Sequence, residues 1–285
     1  MTSMTWLYLS LASVLNFTYL NLLSRVVSRK SKNPRAMSVV FNFIAILMTL
    51  IIFIFSSGYK NFSLPKGFSP YFYLFLACLF YGLNERLRFY VSKYLEASLF
   101  AIISNISVVV AFIVALFLYN ESMTTNKIFG FLLIMASLLL VSFERIKKIS
   151  WRGIGLASLT STFVGIAWSL DKKGIYYFNL ETYNVFVWLL PFLIVYFPGV
   201  KFSDIKREIK INKWSLILLS FLNVFGYFLN LKAQSLAETT KVIPIVQTST
   251  VLTVIFGIFI LKEKSHLFKK ILAGVIAVIG VFLLR

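Results

Sequence analysis

The chain is a succession of long apolar runs separated by short polar links. Ten of these runs approach the roughly 20 residues that a helix needs to cross the hydrocarbon core of a bilayer. Within each run the apolar residues are continuous and do not alternate with polar ones, so the pattern predicts membrane-spanning helices and not the strands of a barrel. The predicted spans cover residues 4–24, 37–57, 70–91, 97–118, 126–143, 152–170, 182–198, 214–232, 239–261 and 268–284.

The pattern of apolar and polar positions is repeated within the chain. Residues 81–121 and residues 223–263 carry similar residue types in the same order, at an offset of 142 positions and without a gap. This offset is about half of the 285-residue chain, so we predict two five-helix repeats, residues 1–142 and residues 143–285. The corresponding polar residues are Glu96 and Glu238, Asn105 and Gln247, Ser107 and Ser249, and Glu121 and Glu263.

An odd number of spans in each repeat determines how the two repeats are related. After five crossings the second repeat enters the membrane from the opposite side, so the repeats are inverted and related by a pseudo-twofold axis in the membrane plane. Transporters built from inverted repeats bind substrate near the middle of the membrane, where the two halves meet. We therefore predict an all-α integral membrane protein of ten transmembrane helices with a central cavity.

The composition agrees with this class of protein. Hydrophobic residues make up 59% of the chain and charged residues 14%, whereas about a quarter of the residues in a soluble domain are charged. The net charge of +19 comes from basic residues in the short links, where Lys and Arg contact anionic lipid head groups. We expect the lipid bilayer and a small-molecule substrate as partners, and no nucleic acid.

The basic residues are distributed unevenly between the two sides of the membrane. Most of the 29 Lys and Arg residues lie in the links that follow the odd-numbered spans. The positive-inside rule places these links in the cytoplasm and both chain termini outside it. We predict a multi-pass protein of the cytoplasmic (inner) membrane.

The third span carries a polar stripe. Tyr81, Glu85 and Arg88 are spaced i, i+4 and i+7, which places them on one face of a helix. A charged side chain near the bilayer centre costs about 2.5–3.5 kcal/mol on insertion scales, so these groups should face a cavity or a partner. An alternative is that Glu85 and Arg88 satisfy each other at i, i+3 while Arg86 extends to the head groups.

The second repeat carries the same stripe on its third helix. The equivalents of the stripe residues are Asn223, Tyr227 and Asn230, and Gln234 continues the stripe by one turn. Other polar residues inside apolar spans complete the candidate substrate-binding set. That set consists of Asn16, Tyr19, Tyr81, Glu85, Arg88, Asn105, Trp168, Tyr227, Asn230, Gln234 and Gln247. For single polar residues within spans, hydrogen bonding between packed helices is the alternative role.

Acidic residues also occur near the ends of spans. Glu96 and Glu238 precede the fourth and ninth spans, where a carboxylate suits the positive end of a helix. Glu121 and Glu263 follow the same two spans, and we expect them to anchor the adjoining links. We expect Asp171, which precedes Lys172 and Lys173, to form a solvated ion pair.

Signatures of catalysis are absent from the sequence. The chain has one histidine, His266, and one cysteine, Cys78, and no Walker loop or paired metal-ligand spacing. We therefore predict that the protein is not an enzyme and has no cofactor and no metal site. Without an ATP-binding module, uphill transport would use a coupling proton or exchange against a counter-substrate, and both remain open.

Two short segments resemble a known family. Residues 93–98, KYLEAS, lead into a span that ends at Asn120-Glu121, and this is similar to the K-Y-x-x-A-S…G-E pattern of EamA-type members of the drug/metabolite transporter superfamily. The second copy has SLAE at residues 235–238, then Pro244, then LKEK at residues 261–264. The resemblance implies a ten-helix fold, alternating access, and a cavity lined by spans 1, 3, 4, 6, 8 and 9. It also implies cytoplasmic termini, contrary to the charge distribution.

Together these observations predict a secondary active transporter that moves a small polar metabolite, such as an amino acid or amine. In this hypothesis Glu85 and Arg88 contact the charged groups of the substrate or a coupling proton. Neutral hydrogen bonds would come from Asn105, Tyr227, Asn230, Gln234 and Gln247. The competing hypothesis is a flippase or other lipid-handling membrane protein for a lipid-linked sugar, which would have a lateral opening towards the bilayer.

Overall fold

The computed structural model describes residues 4–94, 103–142, 151–260 and 267–284, and within these ranges the chain is helical and contains no strand. The helices of the first half are α1 Thr5–Lys30, α2 Pro34–Phe55, α3 Phe68–Tyr94, α4 Ile106–Tyr119 and α5 Thr125–Ser142. Those of the second half are α6 Trp151–Phe178, α7 Leu180–Tyr196, α8 Phe202–Leu236, α9 Thr239–Gln247, α10 Ser249–Ile260 and α11 Leu267–Leu284. A short 3₁₀-helix, Gly58–Asn61, follows α2. The predicted all-α fold of ten spans is confirmed, with α9 and α10 together forming the ninth.

Asparagine side chains cap the beginnings of two of the helices. The Asn33 side chain accepts a hydrogen bond from the Ala36 N–H at 3.2 Å, and Pro34 occupies the first helical position of α2, where a missing N–H costs nothing. Asn179, at a positive φ of 55°, is the single residue between α6 and α7 and accepts from the Thr182 N–H at 3.0 Å. This one-residue link turns the chain back so that α7 lies beside α6.

Contacts between links show that successive helices alternate in direction. The Glu208 carboxylate, near the start of α8, accepts hydrogen bonds from the backbone N–H groups of Lys32 and Asn33, which follow α1. On the opposite face, the Asn179 amide donates to the Asn61 carbonyl at 2.7 Å. We call the face with Asn61 and Asn179 the termini face, since α1 begins and α11 ends there, and the other the basic face.

The principal helix contacts occur in pairs related by the inverted repeat. The first helix of each half packs on the third helix of the other half, so α3 contacts α6 and α8 contacts α1. The second helix of each half likewise packs on the third helix of the other half, which gives the pairs α2 with α8 and α7 with α3. The fifth helices of the two halves, α5 and α11, pack on each other. These reciprocal contacts are those of two inverted repeats around an in-plane pseudo-twofold axis, as predicted.

The fourth span of each half is interrupted by a turn. Residues 103 and 104 are helical, Asn105 is a turn, and α4 begins at Ile106. In the second half α9 ends at Gln247, Thr248 is a turn, and α10 begins at Ser249. Pro244 removes a backbone donor inside α9, four residues before this second interruption. The predicted continuous span 239–261 is therefore two helices, and interrupted helices of this kind border the substrate sites of many transporters.

The outer surface suits a bilayer. Four of the described helices contain segments long and apolar enough to cross a membrane, residues 5–24, 34–55, 151–178 and 202–236. Large apolar side chains such as Phe117, Phe282 and Trp214 are exposed on the outside. The first part of α8 carries charged residues and ends at a kink at Asn212, so the apolar span begins close to the predicted residue 214. The protein is a multi-pass integral membrane protein.

Candidate functional site

A cavity of about 320 Å³ lies between the two halves, bordered by the middle parts of their helices. Both halves contribute to it, so neither half forms the site alone. The contributing helices are α1, α2 and α3 of the first half and α6, α7, α8, α9 and α10 of the second. The polar and aromatic side chains that line this central cavity are Asn21, Asn42, Tyr81, Asn84, Glu85, Trp168, Trp188, Asn223, Tyr227, Asn230, Gln247, Ser249 and Thr250.

Aromatic rings form a continuous part of the wall. The rings of Tyr81 and Tyr227 meet edge to face with their centroids 6.0 Å apart. Trp188 also meets Tyr227 edge to face, with the ring centroids 6.0 Å apart. Trp168 also lines the cavity, from α6. Such rings present apolar faces to a ligand and attract cations over those faces.

Two buried polar atoms of the cavity residues have no hydrogen-bond partner among the described residues. These are the Asn230 side-chain oxygen, an acceptor, and the Trp188 indole N–H, a donor. A buried polar group without a partner is destabilising by about 1–3 kcal/mol. Both atoms belong to residues that line the cavity, so a polar ligand or water in it could satisfy them.

One carboxylate residue, Glu85, belongs to the described lining, one turn along α3 from Tyr81. A carboxylate together with unpartnered neutral groups in one cavity suits a ligand that is polar and carries at least one positive group. A space of about 320 Å³ is at the small end of the range for ligand sites, which is consistent with a metabolite and not a bulky drug.

A second buried carboxylate lies beside the cavity, and here the sequence-based expectation is wrong. The Asp171 side chain is 0% exposed and therefore not solvated, and it forms no ion pair with any described residue. Its Oδ1 accepts hydrogen bonds from the hydroxyls of Tyr183 at 2.9 Å and Tyr227 at 2.8 Å, and its Oδ2 accepts one from Tyr81 at 2.8 Å. We call these four residues the tyrosine cluster. Tyr81 comes from the first half and the other three residues come from the second.

The lysines that follow Asp171 point elsewhere because successive helical residues are turned by about 100°. The Lys172 ammonium lies 3.2 Å from a Glu121 carboxylate oxygen. The Lys173 ammonium lies over the rings of Tyr73 and Tyr119, 5.8 and 5.7 Å from their centroids. The three adjacent charges on α6 therefore have different principal partners, although both lysines also lie over the Tyr119 ring.

Glu121 joins the two halves at the termini face. Its carboxylate accepts hydrogen bonds from the backbone N–H groups of Thr239 at 2.9 Å and Thr240 at 3.1 Å, and from the Thr240 hydroxyl. These are the first residues of α9, where unpaired N–H groups and the helix dipole favour an anion. We call this contact, with Lys172, the Glu121 bridge. Glu121 anchors its link as predicted, although its partners are across the repeat interface.

Glu238 also lies at this face and pairs with two lysines, Lys127 at 3.0 Å and Lys241 at 3.5 Å. Partial burial alone would raise the pKa of the Glu238 carboxyl, but the two ammonium groups outweigh it and hold the pKa below its usual value. The side chain makes no capping hydrogen bond to α9, so the expected helix-end role belongs to Glu121 instead. Glu96 and Glu263 lie outside the described residues.

Six of the predicted substrate-binding residues line the central cavity: Tyr81, Glu85, Trp168, Tyr227, Asn230 and Gln247. Gln234 does not, because it lies one turn beyond Asn230 towards the termini face, where it is 0% exposed and both of its amide atoms lack partners among the described residues. Asn105 is buried at the turn before α4 and is also not part of the lining. The Arg88 side chain lies outside the described part of the chain.

The face of α1 differs from the prediction. Its cavity side carries Phe17, Leu20 and Asn21. Tyr19, two residues from Phe17 and therefore about 200° away around the helix, is 52% exposed on the outside. The Asn16 amide donates to the Leu222 carbonyl at 2.6 Å and so joins α1 to α8 instead of facing the cavity.

The helices around the cavity also differ from those implied by the family resemblance. Asn42 on α2 and Trp188 on α7 belong to the lining, whereas no residue among 103–119 of the fourth span does. The sequence singled out neither Trp188 nor Tyr183, because span 7 has no polar stripe of its own. The sequence pattern indicated the charged residue Glu85 and not its neighbour Asn84, although both line the cavity.

Comparison with known proteins identifies the family. The model of the EamA-like transporter family matches two segments, residues 4–143 and residues 151–285. A solved structure titled "Crystal structure of protein" has a TM-score of 0.70 at 12% sequence identity, over 95% of this chain and 96% of that one. At this identity the likeness shows the fold alone. No match is found among curated proteins.

Proposed function

Because this chain belongs to the EamA-like transporter family, we propose that it is a secondary active transporter of small polar metabolites in the cytoplasmic membrane. The observation that carries the proposal is the central cavity, which is lined by both halves and carries polar side chains among its aromatic and apolar ones. A site shared between inverted repeats can open to one face and then to the other as the halves tilt.

The lining favours an amino acid or amine as the substrate class. A primary ammonium group would be attracted by the Glu85 carboxylate and by the faces of Trp168 and Tyr227. The Trp188 N–H and the Asn230 side-chain oxygen would supply one donor and one acceptor to the remaining polar groups of the substrate. Binding would then satisfy buried groups that have no partner without it, which favours a polar substrate over an apolar one.

The termini face is closed in this conformation by two layers. The tyrosine cluster lies next to the cavity, and the Glu121 bridge lies further out, on the same side. Both layers join the first half to the second. In our proposal alternating access requires both to separate when the cavity opens to the termini face.

A flippase for a lipid-linked sugar is the second candidate, favoured by a separate apolar recess of about 300 Å³. Residues of α1, α10 and α11 form it, including Leu11, Val251 and Phe282. An acyl chain would fit such a surface, whereas the polar central cavity would hold the head group. This candidate predicts that a lipid, and not a soluble solute, stabilises the protein.

A ligand screen on the purified protein tests the proposal. A compound that binds the folded state raises the unfolding temperature by an amount that grows with its concentration. We expect amino acids or amines to do so, and we expect Glu85→Gln and Trp188→Phe to reduce the shift. Trp214→Phe is the matched control, because Trp214 is exposed on the outside of α8.

The decisive measurement is flux of the stabilising compound into liposomes that contain the protein. Transport that is lost in Glu85→Gln and retained in Trp214→Phe would support the proposed site. Stabilisation by lipid-linked sugars alone would favour the flippase. Stabilisation by solutes that is unchanged in both cavity variants would overturn the assignment of the cavity.

A further inference from the structure

The tyrosine cluster contains a carboxylate that the proposed substrate contacts do not use. Asp171 lies inside a membrane-spanning helix, about two turns from its end, and is fully buried. No Lys or Arg nitrogen of the described residues lies within 4.0 Å of it, so hydroxyl groups alone surround its oxygens there. Buried ionisable residues in membrane helices are costly and characteristically serve proton or ion pathways.

The three hydrogen bonds to Asp171 are distributed unequally. Oδ1 accepts two hydroxyls, from Tyr183 and Tyr227, whereas Oδ2 accepts one, from Tyr81. Tyr183 does not line the cavity, but Tyr81 and Tyr227 do. Oδ2 is therefore the oxygen with fewer donors, and its one partner lies between the carboxylate and the cavity.

We propose that Asp171 is a proton-binding site that reports its protonation state to the central cavity through Tyr81. This inference rests on the proposed transport function, for which it supplies the coupling ion. A proton from cavity water adds to Oδ2 and forms a carboxylic O–H, which then donates to the Tyr81 oxygen. The Tyr81 hydroxyl hydrogen, which had been donated to Oδ2, turns towards the cavity. Oδ1 keeps its two donors, and release of the proton reverses each step.

Reversal of the hydrogen bond between Tyr81 and Asp171 changes both the cavity and the contact between the halves. In the charged state Tyr81 offers the cavity no hydroxyl hydrogen, because that hydrogen is bonded to Asp171. In the protonated state Tyr81 becomes a donor to a substrate or to water. Tyr81 is also the one member of the cluster from the first half, so the proton alters the bond that joins the halves beside the cavity.

Other titratable groups on the surrounding helices have different partners. The groups that face or flank Asp171 are Cys78 and Tyr81 on α3, Tyr119 on α4, Lys172 and Lys173 on α6, Tyr183 on α7 and Tyr227 on α8. Lys172 pairs with Glu121, and Tyr119 donates to the Ser169 carbonyl and accepts from the Lys173 N–H. Glu85 lies one turn from Tyr81 in the cavity, so it serves as a control for any pH effect.

Infrared difference spectroscopy tests the proposal without a known substrate. The chain contains two aspartates, Asp171 and Asp204, and Asp204 pairs with Arg207 near the basic face. In the full-length protein labelled with carboxyl-¹³C aspartate and reconstituted in liposomes, the difference between acidic and alkaline spectra should show a protonated-carboxyl C=O band that moves with the label. The band should persist in Asp204→Asn and Glu85→Gln and disappear in Asp171→Asn.

A second band tests the role of Tyr81. Reversal of its hydrogen bond should produce a tyrosine C–O change alongside the carboxyl band, and Tyr81→Phe should remove the tyrosine change. Should Asp171→Asn fail to fold, Asp171→Glu gives an unlabelled carboxyl band in its place and serves the same purpose. The proposal is overturned if no label-sensitive band appears over the pH range in which the protein stays folded, or if the band survives Asp171→Asn.

A carboxyl band without the Tyr81-dependent change would overturn the link to the cavity. Neither result depends on a substrate, so the proton site can fail while ligand stabilisation and flux still support the transporter. Conversely, a proton site found in a protein that binds no solute would count against the transport proposal alone.

Discussion

The Glu121 carboxylate accepts both the backbone N–H and the side-chain hydroxyl of Thr240, although the two residues belong to opposite halves of the molecule. An anion from the first half thus occupies the positive end of a helix from the second. The contact joins the fourth span of one repeat to the fourth of the other at the termini face. In the proposed transport cycle, this contact would hold the termini face closed.

Replacement of Glu121 by glutamine should destabilise this closed state. The amide keeps one acceptor oxygen but loses the ion pair with Lys172 and the interaction of a full charge with α9. Hydrogen bonds to a charged group contribute about 1.5–3 kcal/mol, so we expect Glu121→Gln to lower the free energy of unfolding by an amount in this range. Thermal unfolding of the purified protein measures the change.

Glu181→Gln is the matched control for that substitution. Glu181 lies in the first turn of α7 at the same face but forms no ion pair with any described residue. We expect its replacement to change the unfolding temperature less than Glu121→Gln does. Equal effects of the two substitutions would show that the Glu121 bridge is not a specific stabilising contact.

Glu121→Gln should also make the termini face easier to open. Gln234 is buried near the end of α8 at the termini face, with both amide atoms unpartnered among the described residues, and water reaching it would satisfy them. In a Cys78→Ala background, Gln234→Cys should react slowly with a water-soluble thiol reagent. We expect the addition of Glu121→Gln to raise that rate several-fold, as measured by mass spectrometry of the labelled protein.

Leu216→Cys provides the comparison for the labelling experiment. Leu216 is equally buried on α8 but lies towards the basic face, among residues of α1 and α2. Its labelling should not respond to Glu121→Gln. A parallel increase at both positions would indicate general loosening and would contradict a local opening of the termini face.

The sequence predicted those features that depend on local spacing. The lengths of the apolar runs defined the spans, and the 142-residue offset between Glu121 and Glu263 defined the inverted halves. The i, i+4 spacing of Tyr81 and Glu85 placed both correctly at the cavity. In each case the information lies within one helix, or in the comparison of two similar helices.

What the sequence could not supply was the identity of neighbouring helices. Asp171 beside two lysines has the appearance of a solvated charge, and only the packing of α3, α7 and α8 around α6 brings three tyrosines to it. Tyr19 is the opposite case, a residue that was expected at the cavity and lies on the outside. Its polar spacing with Asn16 suggested a cavity face, but the neighbours of α1 turn that side of the helix outwards.

Stability should depend on the charge of Glu238 at low pH. Because Lys127 and Lys241 hold its pKa below the usual 4.5, its contribution to stability is fully present above pH 4.5 and is lost as the pH falls through the lower pKa of the folded protein. The carboxyl is partly exposed and therefore screened, so the effect should be small. Unfolding temperatures measured against pH should fall more steeply below pH 4.5 in the native protein than in Glu238→Gln.

Lys127 gives this prediction a second check. Its ammonium is buried and also donates to the Ser122 carbonyl, so removal of Glu238 leaves it with less compensation. The Glu238→Gln protein should therefore be less stable than the native protein near neutral pH, and the two curves should converge in acid. Parallel curves over the whole range would contradict the assigned pKa shift.

Helices α4 and α6 approach each other closely at Gly165. A Cβ atom at Gly165 would lie 2.5 Å from the Ser107 carbonyl oxygen and 2.9 Å from the Val110 Cβ, on the helix of the other half. Small residues permit such backbone contact between membrane helices. Gly165→Ala forces the two helices apart, and overpacking of this kind typically costs about 1–3 kcal/mol.

Gly155 on the same helix makes the comparison decisive. A Cβ at Gly155 would meet no atom within 4 Å, so Gly155→Ala adds a methyl group in open space. Alanine is a better helix former than glycine by up to about 1 kcal/mol, so this variant should be as stable as the native protein or slightly more so. Opposite changes in the unfolding temperatures of the two variants would establish that the α4–α6 contact, and not helix propensity, requires glycine at position 165. Equal changes would mean that the halves do not meet at this point.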